Sequence, residues 1–171
     1  MIINIFLDEN KIDSVVKVCD YNTPIGKIRL TDNGEAITSL AFVGVNDDNA
    51  VVLNETPLIH RAFCQLDEYF RGVRRNFDLP LCPHGTEFQK KVWQALLKIP
   101  YGEVCSYIDI ANEIGSAKAF RAVGGANNKN PIPIIIPCHR VIGKNGKLVG
   151  YAGGLEIKKF LLEIESKAGK L

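Results

Sequence analysis

"SYIDIANEIGSAKAFRAVGGANN", residues 106–128, decides how the second half of this chain folds. Ser106 is a helix-capping residue type, and Ile108, Ala111 and Ile114 follow at helical spacing, so a short helix is expected over 107–114 with those three inward. Gly115-Ser116 supplies a tight turn, and a second helix is expected over about 117–127. Helix, short Gly-containing turn and helix make a helix-turn-helix, a unit used against DNA and equally found as an ordinary helical hairpin. The second helix is made of Ala, Gly and Asn around one Arg, Arg121. Side chains that small let a helix backbone lie close to another surface, whether protein or a nucleic-acid groove.

On the upstream side, Thr86 caps a helix expected over 87–98, with Phe88, Val92, Trp93, Leu96 and Leu97 as its buried stripe, and Pro100-Tyr101-Gly102 ends it. On the downstream side, residues 131–136 read as a short apolar strand, irregular or at an edge because Pro133 lies within it. Residues 141–154 carry an Asn145-Gly146 turn and read as a small hairpin or loop. A last helix is expected over 155–167, with Leu155, Phe160, Leu161, Leu162 and Ile164 apolar and Lys158-Lys159 giving it a basic beginning.

The first half has a different grammar. Residues 24–43 alternate apolar and polar around Asn33-Gly34, the pattern of an antiparallel hairpin with positive φ at its turn. Residues 57–71 form a helix with Pro57 at its start, Leu58, Ala62, Leu66, Tyr69 and Phe70 on one face, and Gly72 at its end. "NFDLPL", 76–81, reads as another short strand, and "CPHGTEF", 82–88, as a linker. The fold class is therefore α+β: a small N-terminal strand-and-helix domain, 1–82, and a mostly helical domain, 83–171.

The totals narrow the function classes. With 171 residues, 46% of them hydrophobic, a packed core is expected and disorder is not. No apolar run reaches the roughly 18 residues of a membrane span. The start, "MIINIFLDENKID", lacks the positive charge and cleavage site of a signal peptide, so the expected location is cytoplasmic. Five cysteines, an odd count without a C-x-x-C pair, argue against a disulfide scaffold or zinc ribbon. Cys19, Cys64 and Cys105 lie in apolar periodic stretches and are expected to be small buried side chains. Residues 1–80 hold 8 Lys/Arg against 12 Asp/Glu, a balance of −4, whereas residues 81–171 hold 13 against 7, a balance of +6. A basic second half suits a polyanionic partner or a lysine-rich solvated surface.

"PIPIIIPCHRVIG", 131–143, places Cys138, His139 and Arg140 directly after a proline-stiffened apolar run. The thiolate is the nucleophilic form of cysteine; a free thiol near pKa ~8.5 falls to about 3.5–7.5 beside cations or His⁺. Adjacent residues need not point the same way, so the triplet is compatible with a reactive thiol or with a buried Cys beside a packed His. Pro137 biases Ile136 towards extended backbone, which would hold Cys138 at the end of a rigid strand.

"IPCHRVIG" resembles the active-site signature of the 6-O-alkylguanine-DNA alkyltransferases, the methylated-DNA–protein-cysteine methyltransferases. "GTEFQKKVWQALLKIPYGEVCSYIDIA", "AFRAVGGANNKNPIPIIIPCHRVIG" and "GYAGGLEIKKFLLEIE" are similar, in order, to that family's C-terminal domain over roughly residues 85–165. The first 80 residues resemble the family's variable, ribonuclease H-like domain in general layout only.

The resemblance implies repair of DNA by irreversible transfer of an alkyl group from 6-O-alkylguanine, and expectedly from 4-O-methylthymine, to Cys138, once per molecule. It implies a relay in which His139 takes the thiol proton through water, Glu165 orients His139, and Asn130 braces the loop. It implies that Tyr107 donates to the guanine ring, and that Arg121 fills the stack vacated by a flipped base while Ser106, Tyr107, Ala119 and Gly124 meet the minor groove of double-stranded DNA. Pro133, Val141, Tyr151 and Ala152 would form the base pocket. No cofactor is expected, and a monomer is. Ile108 and Asn127 stand where relatives vary. His84 would be half of the zinc site that some relatives carry, but further ligands are not recognisable, so no metal is expected. The competing readings are a DNA-binding regulator without repair, and a cysteine hydrolase or transferase acting on a small acyl substrate with turnover. The metal-binding cysteine cluster of bifunctional relatives and an oxyanion-hole motif are both missing from the sequence.

Overall fold

The computed structural model describes residue 6 and residues 16–44 and 55–168. The signal-peptide reading of residues 1–13 lies, Phe6 apart, outside the described residues. The chain separates into two compact units, Met1–His84 and Gly85–Leu171.

The first unit is built on an antiparallel sheet of order β1-β2-β3: β1 Lys17–Thr23, β2 Gly26–Asp32 and β3 Ile37–Phe42. The hairpin expected within 24–43 is β2–β3, but its turn is longer than a two-residue one. Asn33 Oδ1 accepts from the backbone N–H groups of Glu35 and Ala36, the pairing register shifts at Thr31/Asp32, and of Asn33 and Gly34 only Gly34 has positive φ. β1 escapes the periodicity because Cys19 is its single fully buried residue. Helix α1, Pro57–Phe70, is capped by Thr56, whose hydroxyl accepts from Ile59 N–H and donates to the buried Asp32 carboxylate, tying helix to sheet. Its buried stripe is Ile59, Ala62, Gln65, Leu66 and Tyr69, rotated slightly from the expected one: Leu58 and Phe70 are only half-buried.

Two expectations fail in this unit. Segment 76–81 is not a strand; Leu81 makes isolated bridges to Ile37 and Phe6. The Gln65 side chain takes both the N–H and the C=O of Asp78, and Pro80 has no N–H to give, so a ladder cannot extend there. Cys64 is exposed, and in the second unit Cys105 is half-buried, so only Cys19 of the three is in the core.

The second unit packs α2 (Glu87–Leu96) on the hairpin of α3 (Tyr107–Glu113) and α4 (Phe120–Asn128). Thr86 with Gln89, and Ser106 with Asp109, form reciprocal capping boxes on α2 and α3. Trp93 is buried and its indole N–H donates to Ala126 C=O, fixing α2 to α4. In α3 the core residues are Ile110 and Ala111, while Ile108 and Ile114 are half-buried, because α4 covers a face one residue round from the expected one. Gly115, with φ +68, makes the turn, and a single 3-10 turn at Ala117–Ala119 precedes α4. A parallel pair of two-residue strands, β4 (Cys105–Ser106) with β5 (Val141–Ile142), joins the start of α3 to the segment after Arg140. Helix α5, Leu155–Ala168, closes the unit. Leu155 on it is exposed and Lys158 fully buried, the reverse of their expected places. The loop 143–147 turns at Gly146 and closes through a Gly143 N–H bond to Lys147 C=O.

Residues 131–136 are not a strand. Pro131, Pro133 and Pro137 cannot donate to a ladder, and the chain instead folds on itself, with Ile136 N–H on Ile132 C=O and a Pro133–Ile136 bridge. Ile134 sits at φ +73, an outlier for a β-branched residue, with its side chain fully buried. Cys138 consequently opens a 3-10 turn, Cys138–Arg140, rather than ending a strand. Among the described residues no helix is long and apolar enough to cross a membrane.

Candidate active site

The 3-10 turn carries Cys138, His139 and Arg140 into the interior, all three buried. Asn130 builds the preceding loop: its Nδ2 donates to Ile136 C=O at 2.8 Å and its Oδ1 accepts from Ile132 N–H at 3.0 Å. One side chain thus satisfies two backbone groups that a strand partner would otherwise have taken. Asn127, on the inner face of α4, donates to Cys138 C=O at 3.4 Å.

Glu165 of α5 is the hub. Its carboxylate accepts from His139 Nε2 at 2.8 Å, from Arg140 Nε at 2.9 Å and Nη2 at 3.0 Å, and from Gly102 N–H at 3.0 Å. Arg140 also donates to Ile99 C=O at 2.7 Å and lies over the Tyr101 ring. Gly102 has φ +80, and a Cβ there would stand 3.3 Å from Glu165 C=O. Burial pushes the Glu165 carboxyl up, but the hydrogen bonds and charges of His139 and Arg140 outweigh it and hold it at about 2. His139 is pushed down from the ordinary imidazole value by burial, with Arg140 and Lys158 adding to that and Glu165 opposing it. With the ionised carboxylate on Nε2, that nitrogen bears the hydrogen of the neutral ring, and Nδ1 is the basic atom.

Burial pushes the Cys138 thiol up to about 11; Asn130, the Lys158 charge and nearby backbone N–H groups oppose the shift. The neighbouring His139 and Arg140 do not make it a thiolate at rest. The thiol is a poised acid, and its proton must be taken at the moment of reaction.

Tyr107, Arg121 and Gly124 line one cleft with Phe120, Val149 and Gly150. Tyr107 is the first residue of α3, and its hydroxyl stands 3.5 Å from Val149 C=O. Burial, then the Cys138 charge, raise it above the ordinary phenol value, so it is a hydroxyl donor at neutral pH. Gly124 of α4 faces Tyr107, and a Cβ there would rest on the ring at 3.8 Å, an ordinary van der Waals contact. The Ser106 hydroxyl is engaged in its cap with Asp109, and Ala119 is half-buried in the 3-10 turn. Pro133, Val141 and Tyr151 are buried, and Tyr151 is raised well above the ordinary phenol value by burial and by the charges of Cys138 and Glu165. Ala152 is exposed.

Two members of the site are invisible to residue-by-residue reading. Lys158 is 0% exposed and donates to Val141 C=O at 2.7 Å and Val149 C=O at 2.9 Å, tying α5 to β5 and to the cleft loop. The 158–161–165 spacing with Leu161 and Glu165 was the available signal, since it puts the lysine on the inward face. Arg140 found its acid 25 positions away in sequence, and no local pattern names that partner.

Comparison with known proteins settles the kinship. The family model described as 6-O-methylguanine DNA methyltransferase, DNA binding domain, matches residues 87–167, and the ribonuclease-like domain of the same family matches 19–83. The chain belongs to the 6-O-methylguanine DNA methyltransferase family. It is 51% identical over 149 residues to the methylated-DNA–protein-cysteine methyltransferase of Methanosarcina acetivorans, covering 85% of this chain and 95% of the relative. It is 53% identical over 150 residues to the constitutive enzyme of that name from Bacillus subtilis, covering 84% and 91%. The crystal structure of Mycobacterium tuberculosis OGT in complex with DNA superposes with a TM-score of 0.81 at 44% identity, covering 89% of this chain and 94% of that one. Membership in the methyltransferase family agrees with the α+β class and the ribonuclease-like first unit.

Proposed function

We propose that this protein repairs DNA by moving the alkyl group of 6-O-alkylguanine, and of 4-O-methylthymine, onto Cys138. The observation that carries the proposal is the buried Cys138 turn beside a His139–Glu165 pair in which the carboxylate holds Nε2 and makes Nδ1 the basic ring atom. The Cys138 proton passes to His139 Nδ1 through a bridging water. The sulfur attacks the alkyl carbon as the carbon–oxygen bond breaks, and the electron pair goes to the guanine oxygen and ring. Tyr107 donates to that ring, while the imidazolium is stabilised by the ionised Glu165. A thioether forms that water does not cleave, so each molecule acts once.

The base must leave the duplex to reach a buried thiol, at a cost of a few kcal/mol. Arg121, exposed on α4 at the mouth of the cleft, fills the vacated stack from the minor groove, and Gly124 with the neighbouring small residues allows the close approach. Ser106 and Ala119 flank that approach, and Pro133, Val141, Tyr151 and Ala152 wall the base pocket. The protein acts as a cytoplasmic monomer on double-stranded DNA. A stoichiometry assay tests this: methyl loss from duplex DNA should plateau at one per protein molecule and vanish in Cys138→Ala, which should still bind the duplex. Continued turnover would refute the suicide reading.

A further inference from the structure

A second thiol–imidazole–carboxylate chain stands in the first unit. Cys64 and His60 lie one turn apart on α1, with Cys64 Sγ 3.5 Å from His60 Nε2. His60 Nδ1 is 2.8 Å from Glu55 Oε1, and the Tyr21 hydroxyl of β1 donates to the same oxygen at 2.5 Å. The Tyr21 ring is stacked on Phe63 with centroids 4.0 Å apart, which fixes the direction of that hydroxyl. The hydrogen bonds from Tyr21 and then His60 hold the Glu55 carboxyl below its ordinary value, so it is ionised at neutral pH. Burial, then Glu55, push the Tyr21 hydroxyl up, so it remains a donor. The carboxylate fixes the hydrogen of the neutral ring on Nδ1 and turns the Nε2 lone pair to the thiol. Among the described residues, Cys19 of β1 is buried beside Tyr21, and Arg61, Asp67 and Glu68 lie within one turn of Cys64 on α1.

In contrast to the pair at Cys138, this cluster is open to solvent: the His60 side chain is 62% exposed, that of Glu55 42%, and Cys64 is exposed. We propose that Cys64 is a second nucleophilic thiol, with His60 as its base and Glu55 as the residue that positions His60, and that it takes alkyl groups directly from small soluble alkyl electrophiles without DNA. His60 Nε2 accepts the thiol proton, the sulfur–carbon bond forms as the carbon–halide bond breaks, and the halide leaves with the bonding pair. The imidazolium then returns its proton to water. No step involves Cys138, so failure here leaves the repair reading untouched.

Iodoacetamide is the probe, applied to Cys138→Ala protein without DNA, with peptide mass mapping of every cysteine over a pH series. Cys64 is expected to be labelled first. At neutral pH, His60→Gln and Glu55→Gln should each slow it by about ten-fold or more, and both should converge on the parent rate in alkali, where hydroxide stands in for the imidazole base. Glu55→Gln leaves His60 in place, so it separates the relay from any disturbance of α1. A Cys64 rate that both variants leave unchanged at neutral pH, or that they lower equally at every pH, overturns the proposal.

Discussion

Glu165 has its acceptor capacity filled by Arg140, His139 and Gly102 in a site almost without solvent. Removing one partner of such a pair leaves a buried charge uncompensated. Arg140→Met is therefore expected to lower unfolding free energy by about 3–5 kcal/mol, measured by urea denaturation. His139 and Glu165 set the acid limb of stability. The folded His139 value lies below the ordinary 6.5, so the unfolded chain binds its proton first as pH falls. The folded Glu165 value, about 2, lies below the ordinary 4.5, so its contribution is whole above about 4.5 and lost towards 2. Both signs agree: the urea midpoint should be highest above about pH 6.5 and fall continuously in acid. A midpoint independent of pH from 6.5 to 4.5 would contradict a neutral buried His139. At this scale Cys138, His139 and Glu165 were visible through the family signature, whereas Lys158 reads as a surface lysine until its neighbours Leu161 and Glu165 are placed on the same face.

The elements that bear the site follow local rules unevenly. α1, α2, α3 and α5 lie within about two residues of their expected limits, the first three announced by a capping residue or proline at the start as well as by apolar period, α5 by apolar period. Ser106→Ala removes the hydroxyl half of the α3 capping box, leaving the backbone N–H of residue 106 on Asp109, and should cost ~1 kcal/mol in a denaturation curve. Arg121, by contrast, is exposed on α4, so Arg121→Ala should move stability by no more than about 0.5 kcal/mol. The same variant should clearly slow methyl removal from duplex DNA. A repair rate equal to the parent's would remove Arg121 from the stack-filling role. The segment 131–136 misleads because a run of β-formers carries no period, and the decisive bonds come from the Asn130 side chain. On α1 the inward face shares Ala62, Leu66 and Tyr69 with the expected one but takes Ile59 and Gln65 in place of Leu58 and Phe70, a choice that two adjacent, equally apolar residues at 58 and 59 leave open in sequence.

For the whole molecule, two compact units share one chain, and they are legible to different degrees. The second carried its family signature in sequence over nearly its full length. The first was readable only as strands and a helix, since its identity lies in packing around Ile28, Leu30, Ile37 and Leu66 rather than in a motif. The alkyl-transfer account makes Cys138 the acceptor although its thiol is protonated at rest, and Cys64 the thiol that solvent reaches. Those two cysteines are therefore distinguished by what delivers the alkyl group. The direct test is mass mapping of the protein after incubation with a duplex holding one 6-O-methylguanine. The expected result is a single methyl on the peptide containing Cys138, none on that containing Cys64, and a duplex restored to guanine. A methyl found elsewhere, or a repaired duplex with unmodified Cys138, would contradict the account.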